Sequence, residues 1–236
     1  MSDNLPYNPL DKTNLGASVA DALLGRKPRQ LHGLKQFDGA GIYALYYQGT
    51  YPPYERLALL NQGDDPLAPI YVGKAIPEGG RKGASGLVAG AATRALHRRL
   101  KEHADSIDAC ANLAVQDFVC RFLTVDDIWI PLGESLLISK FSPLWNLTID
   151  GFGNHDPGKG RYNGLAPRWD VLHPGRAWAT RCQARQETAE QIADEVVARL
   201  AQEPSLVRSR FHAEHRRAAA RAAPDDTLGS GPASAD

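Results

Sequence analysis

Residues 41–47, GIYALYY, constrain this chain more than any other stretch. The run is rich in aromatic and β-branched side chains and reads as a β-strand. A second strand reads at 69–74, PIYVGK, ended by Gly73 and by a loop of small and basic residues over 75–85. Residues 48–68 are broken by Pro52-Pro53 and by Gly63-Asp64-Asp65, and read as an insertion between the two strands.

After that pair the periodicity changes. Val88, Ala92, Leu96 and Leu100 recur every fourth position, with Arg94, Arg98 and Lys101 on the other side, which predicts a helix over about 86–104. Residues 114–125 read as a third strand, with Phe118, Cys120 and Phe122 on one side and Asp117, Val119 and Arg121 on the other. Pro131 opens a second helix with Glu134 in its first turn and Leu136, Leu137 and Ile138 as its apolar side. It is expected to stop at Ser142-Pro143, because a residue before proline disfavours the helical region. The order strand, strand, helix, strand, helix, with a long helix crossing between the second and third strands, describes a small α/β domain.

Residues 1–35 are polar and punctuated by proline, with a short helical stretch on Val19, Leu23 and Leu24, and read as an arm or docking element. Residues 147–178 form a long Gly-, Pro- and Arg-rich segment, and loops of that length are usually functional. A further amphipathic helix reads at 184–201 on Ala189, Ile192, Val196 and Leu200, and disorder is expected from about 212 to 236.

The charges cancel, 27 Lys plus Arg against 27 Asp plus Glu, so any nucleic-acid or membrane footprint must be local. Two segments are basic. Lys74, Arg81, Lys82, Arg94, Arg98, Arg99 and Lys101 face only Glu78 and Glu102. Lys159, Arg161, Arg168, Arg176, Arg181 and Arg185 make the second group, with Phe152, Tyr162 and Trp169 interspersed. They describe either solvated faces or surfaces that meet a phosphate backbone. The three cysteines are an odd number without a CxxC pair, against a disulfide framework and a cysteine-rich zinc site. No signal-peptide pattern opens the chain and no run of about 18 apolar residues occurs, so a cytoplasmic protein is expected.

GIYALYY followed by PIYVGKA resembles the strand pair of the GIY-YIG nuclease superfamily, with Val where the second motif usually has Ile. That superfamily places an Arg on the next helix, a Glu on a later helix and usually an Asn beyond it. Here Arg99 and His103 lie four apart on one helix face, Glu134 stands in GESLLISKF and Asn146 in SPLWN. The resemblance spans about residues 37–146. Tyr43 and Tyr71 are 28 positions apart, wider than in homing and repair nucleases of the superfamily. That gap, the Arg-x-x-x-His pair and the NHDPGKGR loop resemble a restriction-endonuclease branch whose members are homodimers cutting CCGCGG with a divalent metal.

The resemblance implies an α/β (α+β) fold: a small antiparallel three-stranded sheet flanked by helices. The expected parts are an N-terminal arm (1–35), a catalytic core (36–146), a DNA-contacting loop with a C-terminal helix (147–211) and a tail (212–236). Phosphodiester hydrolysis needs an activated water, charge neutralisation on the phosphate and help for the leaving oxygen. Glu134, the only carboxylate among the matched motifs, is the expected ligand of Mg²⁺ or Mn²⁺, since Mg²⁺ commonly takes one or two carboxylates and keeps its waters. Its alternative is a first-turn glutamate complementing the helix dipole. Tyr43 is the candidate general base, with Tyr71 positioning water or phosphate. A phenol pKa of about 10 leaves only about one in 10³ ionised at pH 7. Lys74 and His103 are therefore the expected helpers, as cation and proton acceptor. The assignment among Tyr43, Tyr71 and His103 stays open.

Arg99 suits the scissile phosphate, because guanidinium stays charged and grips two oxygens. Arg94 and Arg98 are expected on the DNA backbone or at the surface, and Asn146 in a structural role. Readers of G·C pairs are sought among Lys159, Arg161, Arg168 and Arg176, or in 48–68. A palindromic site implies a two-fold homodimer on double-stranded DNA, and a cytosine methyltransferase as genetic partner. The competing classes are a structure-specific or mobile-element nuclease, which usually carries an added DNA-binding module, and a non-catalytic nucleic-acid-binding module, which would lack Glu134 or Arg99.

Overall fold

The computed structural model describes residues 11–77, 93–156, 158 and 162–202. Four strands, β1 (Arg29–Gln30), β2 (Gly41–Tyr47), β3 (Tyr71–Ala75) and β4 (Phe118–Thr124), pair antiparallel in the order β1-β4-β2-β3. All seven residues of β2 are buried. As an interior strand covered on both faces, β2 carries an unbroken apolar run where a half-exposed strand would alternate.

The two faces of β2 belong to two cores. Tyr43, Leu45 and Tyr47 pack with Leu96, Leu100 and Ile107 of α3 (Ala95–Asp108). Ile42, Ala44 and Tyr46 pack with Leu23 of the N-terminal helix (α1, Lys12–Leu24) and with Ile130 and Leu137 of a later helix (α4, Ile130–Phe141). Between these helices lies the short α2 (Glu55–Leu60). The segment expected as an arm is thus packed through Ala20, Leu23 and Leu24, and it supplies a fourth strand where three were expected. Two residues, Arg-Gln, are too few for a period-2 signal, so β1 leaves no trace in the pattern.

Residues 48–68 also join the core. Pro52–Tyr54 form a 3₁₀ turn leading into α2, and Tyr54 and Leu57 are buried. The side chain of Asn61 closes the return: it donates to the carbonyls of Tyr47 (3.0 Å) and Ala68 (2.9 Å) and accepts from the amides of Leu67 and Ala68.

The remaining boundaries shift by a few residues. α3 reaches Asp108, whereas the expected stretch 86–92, with Val88 and Ala92, lies outside the described residues. β4 is preceded by a 3₁₀ turn at Val115–Asp117. α4 begins at Ile130, so Glu134 falls in its second turn and the expected first-turn position is corrected. The helix ends as expected: Ser142 adopts a left-handed conformation (φ 45°) before Pro143. α5 (Leu144–Leu147) leads into the segment expected to be irregular, and α6 (Arg168–Leu172) interrupts it. α7 (Ala189–Gln202) buries Ile192, Val196 and Leu200. The tail from 212 lies outside the described residues. Among the described residues no helix is long and apolar enough to cross a membrane.

Candidate active site

The site grows from the register of β2 on β3, which sets Tyr43 opposite Gly73. Opposed residues in an antiparallel pair share a face. A Cβ at position 73 would stand 2.3 Å from the Tyr43 hydroxyl oxygen, so glycine there lets the phenol ring cross β3. The tip of Tyr43 then meets α3, where its Oη and His103 Nε2 are 2.6 Å apart. Both residues are buried.

Burial pushes the Tyr43 phenol well above its ordinary range; neighbouring Tyr71 adds to this and the Arg99 charge opposes it. His103 is driven well below the ordinary imidazole range, first by burial and then by the Arg99 charge. At neutral pH the pair is therefore phenol and neutral imidazole. A standing Tyr43 phenolate, the simplest version of the expected base, does not suit this environment.

Tyr71 stands on the same face of β3 as Gly73, partly exposed, with its ring 6.2 Å from Tyr43 and 5.3 Å from His103. Its phenol too is raised by burial, against the pull of Arg99. Arg99, one turn before His103 on α3, donates to the Gly153 carbonyl (2.6 Å) and to Glu102 (3.0 Å), and meets the exposed imidazole of His155. Phe152 stacks on His103 (centroids 4.5 Å, 18°) and meets Tyr71 edge-on at 4.9 Å.

Lys74 and Glu134 come from the other face of the sheet, where β3 alternates toward α4. Lys74 Nζ lies 2.6 Å from Glu134 Oε2. The expected cation for a phenolate is therefore engaged with the carboxylate instead. The charge of Glu134 still acts on both Tyr43 and Tyr71. Asn146 spans the outer edge of β3: its Oδ1 accepts from the Val72 amide and its Nδ2 donates to the Val72 carbonyl, both at 2.8 Å.

Among the described residues no group of three His, Cys, Asp or Glu side chains could hold a metal ion. The donor set still suits Mg²⁺ or Mn²⁺. Glu134 is a hard carboxylate with 17% of its side chain exposed, and Lys74 occupies only one of its oxygens. A magnesium ion that keeps most of its waters and shares phosphate oxygens needs no more from the protein.

The expected DNA contacts divide. Arg94 and Arg98 are exposed at the start of α3, with Arg94 3.5 Å from Asp38. Lys159 and Arg161 lie outside the described residues. Arg176 is corrected as a base reader: it is 5% exposed and all five of its N–H groups are used. They go to both oxygens of Asp170 and to the carbonyls of Gly151, Phe152 and Asn154. Its guanidinium also lies over Trp169 and Trp178. Arg168 is likewise occupied, by Glu187, Glu195 and the Thr148 carbonyl. Phe152 and Trp169, expected at a phosphate-facing surface, are in the core. A count of arginines cannot separate a groove-facing guanidinium from one that pins a loop.

Sequence reasoning missed Phe152, Gly153 and His155, the C-terminal wall of the site. His155 sits within the Gly-rich run as a lone histidine without metal-ligand spacing, and a carbonyl partner such as Gly153 leaves no side-chain signal at all. Two apposed tyrosines, a buried imidazole, an arginine and a single carboxylate at the open edge of a small antiparallel sheet define a GIY-YIG nuclease. More narrowly, a family model of the Eco29kI GIY-YIG domain matches residues 35–200, 166 of the 236, and the chain belongs to that family. DNA is the substrate that this family implies. No curated protein matches the chain.

Proposed function

We propose that the chain is a metal-dependent, site-specific endonuclease of the restriction type, cutting duplex DNA at CCGCGG as a homodimer. The buried Tyr43–His103 pair beside Arg99 carries this reading. With His103 protonated on Nδ1, Tyr43 donates to Nε2 and its oxygen is free to accept. As water attacks phosphorus, the water proton passes to the Tyr43 oxygen while the Tyr43 proton passes to His103. The pair thereby acts as a relayed base without ever storing a phenolate.

Arg99 grips the non-bridging oxygens, exchanging its Gly153 carbonyl for phosphate. Tyr71, partly exposed beside Tyr43, orients the attacking water. Lys74 holds Glu134 by one oxygen and leaves the other for the ion. When bound, Mg²⁺ or Mn²⁺ supplies charge neutralisation on the phosphate and stabilises the leaving oxygen. A host carrying such an enzyme needs its own copies of the site modified, hence a cytosine methyltransferase as genetic partner.

The test is a plasmid with one CCGCGG beside the same plasmid without it, incubated with protein and Mg²⁺, with EDTA, and with Glu134→Ala. A single metal-dependent cut that requires both the site and Glu134 is expected, from a protein that sediments as a dimer. Metal-dependent cutting of both plasmids would overturn the specificity, and a monomer on DNA would overturn the assembly.

A further inference from the structure

A second basic feature stands at the opposite edge of the sheet from β3. Where α1 hands over to β1, a cleft of about 400 Å³ is lined by Arg26, Lys27, Arg29, Phe122 and Thr124. Three cations and no acid are among the described residues that line it. Among the described residues no ion pair engages Arg26, Lys27 or Arg29, and all three are exposed. The helix dipole at the end of α1 favours basic residues nearby by about 0.3–1 kcal/mol each. That accounts for Arg26 and Lys27 but not for Arg29, which leaves the helix behind and lies over the Phe122 ring at 5.4 Å.

The main chain that carries these cations is anchored from the other face of β4. Buried Arg121 donates from Nε to the Arg26 carbonyl (2.8 Å) and from Nη1 to the Pro66 carbonyl (2.8 Å), and pairs with Asp65. Toward the catalytic side a chain of ring contacts leads from the cleft: Phe122 stacks on Phe37 at 4.3 Å, and Phe37 meets His97 of α3 edge-on at 5.4 Å. His97 stands between Arg94 and Arg98, two residues before Arg99. Register also aligns the two places, since Phe122 is opposite Tyr43, and Tyr43 is opposite Gly73.

We infer that this cleft binds the phosphate backbone of the DNA flanking the cut, on Arg26, Lys27 and Arg29. The inference rests on the DNA-cleaving reading. Three inter-strand steps of about 4.8 Å separate β3 from β1. The resulting span of ~14 Å corresponds to roughly four nucleotide steps of about 3.4 Å along one strand. Contacts of this kind set register and affinity and carry no base preference.

The test is the salt dependence of duplex binding in EDTA, by fluorescence anisotropy, for wild type and for the triple variant Arg26→Ala, Lys27→Ala, Arg29→Ala. The three side chains are exposed, and the bond from Arg121 goes to the main-chain carbonyl of residue 26, so the fold should persist. Circular dichroism checks this, and Arg29→Glu alone serves as a second variant. The magnitude of the log–log salt slope should fall by about 2–3, at about 0.9 per lost phosphate contact, and affinity near 0.1 M salt should drop roughly 100-fold. The loss should be equal on duplexes with and without CCGCGG. Neutral methylphosphonates about four steps from the cleaved bond should weaken wild type and leave the variant unaffected. If wild type cuts DNA but the variant keeps the wild-type slope, the cleft is not a phosphate site while the nuclease reading stands. A change in sedimentation instead of slope would assign the cleft to chain–chain contact. A wild type that neither binds nor cuts DNA would overturn both.

Discussion

A phenol and an imidazole 2.6 Å apart in a dry pocket form a pair in which each partner satisfies the other. Tyr43→Phe removes the relay but keeps the ring over Gly73. Single-turnover cleavage should slow by about 10²–10⁴, the usual scale of acid–base assistance, while the protein still folds. Undiminished cleavage would remove Tyr43 from the chemistry. A second tyrosine–histidine pair, Tyr54 Oη to His173 Nε2 at 2.5 Å, lies deeper. Trp145 donates to its hydroxyl at 2.9 Å, and Asn112 meets the other imidazole nitrogen at 3.0 Å. Burial lowers His173 to about 3. Unfolded, it would bind a proton near pH 6.5. Its stabilising contribution is therefore complete above about pH 6.5 and is lost as pH falls toward 3, at up to about 1.4 kcal/mol per pH unit. Urea unfolding between pH 7 and 5 should show a shallower decline for His173→Gln, and an unchanged slope would refute the assignment. The sequence made Tyr43, Tyr71, Arg99, His103, Glu134 and Asn146 visible as candidates because they sit in motif order. His173 and Phe152 were invisible as working residues because their roles come only from what long-range folding stacks against them.

At the level of elements, β3 is an edge strand five residues long that carries two of the candidate residues, Tyr71 and Lys74. Edge strands fray unless something covers them. Asn146 does so by acting as a single residue of pairing strand against Val72. Asn146→Ala should expose the Val72 amide, raising its hydrogen-exchange rate far more than that of amides in β2, with a stability loss of about 1–3 kcal/mol. Equal protection in variant and wild type would contradict this. Gly73→Ala places a methyl group against the Tyr43 hydroxyl, at a stability cost of about 1–3 kcal/mol. Cleavage should suffer more than stability, because the ring that must move is the one bonded to His103. An active Gly73→Ala enzyme would show that the crossing is dispensable. The strands β2, β3 and β4 and the end of α4 were legible in the sequence, since strand-forming residues and Ser142-Pro143 act locally. β1 and the packed insertion were not, because the buried Asn61 and Tyr54 that organise them resemble ordinary loop residues.

For the molecule as a whole, the Arg176–Asp170 pair fastens the 151–154 turn to α6 within the C-terminal half. Both side chains are nearly inaccessible, at 4% and 3% exposure, so removing one strands a buried charge. Arg176→Ala should lose about 3–5 kcal/mol of stability. Below its lowered melting temperature it should also cut slowly, because Gly151, Phe152 and Asn154 lose their anchor and Gly153 no longer holds Arg99. A variant that melts and cuts like wild type would show the clamp to be incidental. The basic character of 147–178 was evident from composition, but its division into buried clamps and exposed contacts depends on which acids fold beside each arginine.

The closing wall of the site has a consequence for synthesis on the ribosome. When the first 146 residues have emerged, every motif residue from Tyr43 to Asn146 is outside the exit tunnel, yet Phe152, Gly153 and the Arg176 clamp are still to come. His103 then lacks its stacking partner and Arg99 its carbonyl, so the growing polypeptide carries the parts of a nuclease without their working arrangement. Assembly of the site waits until residues 151–176 have emerged.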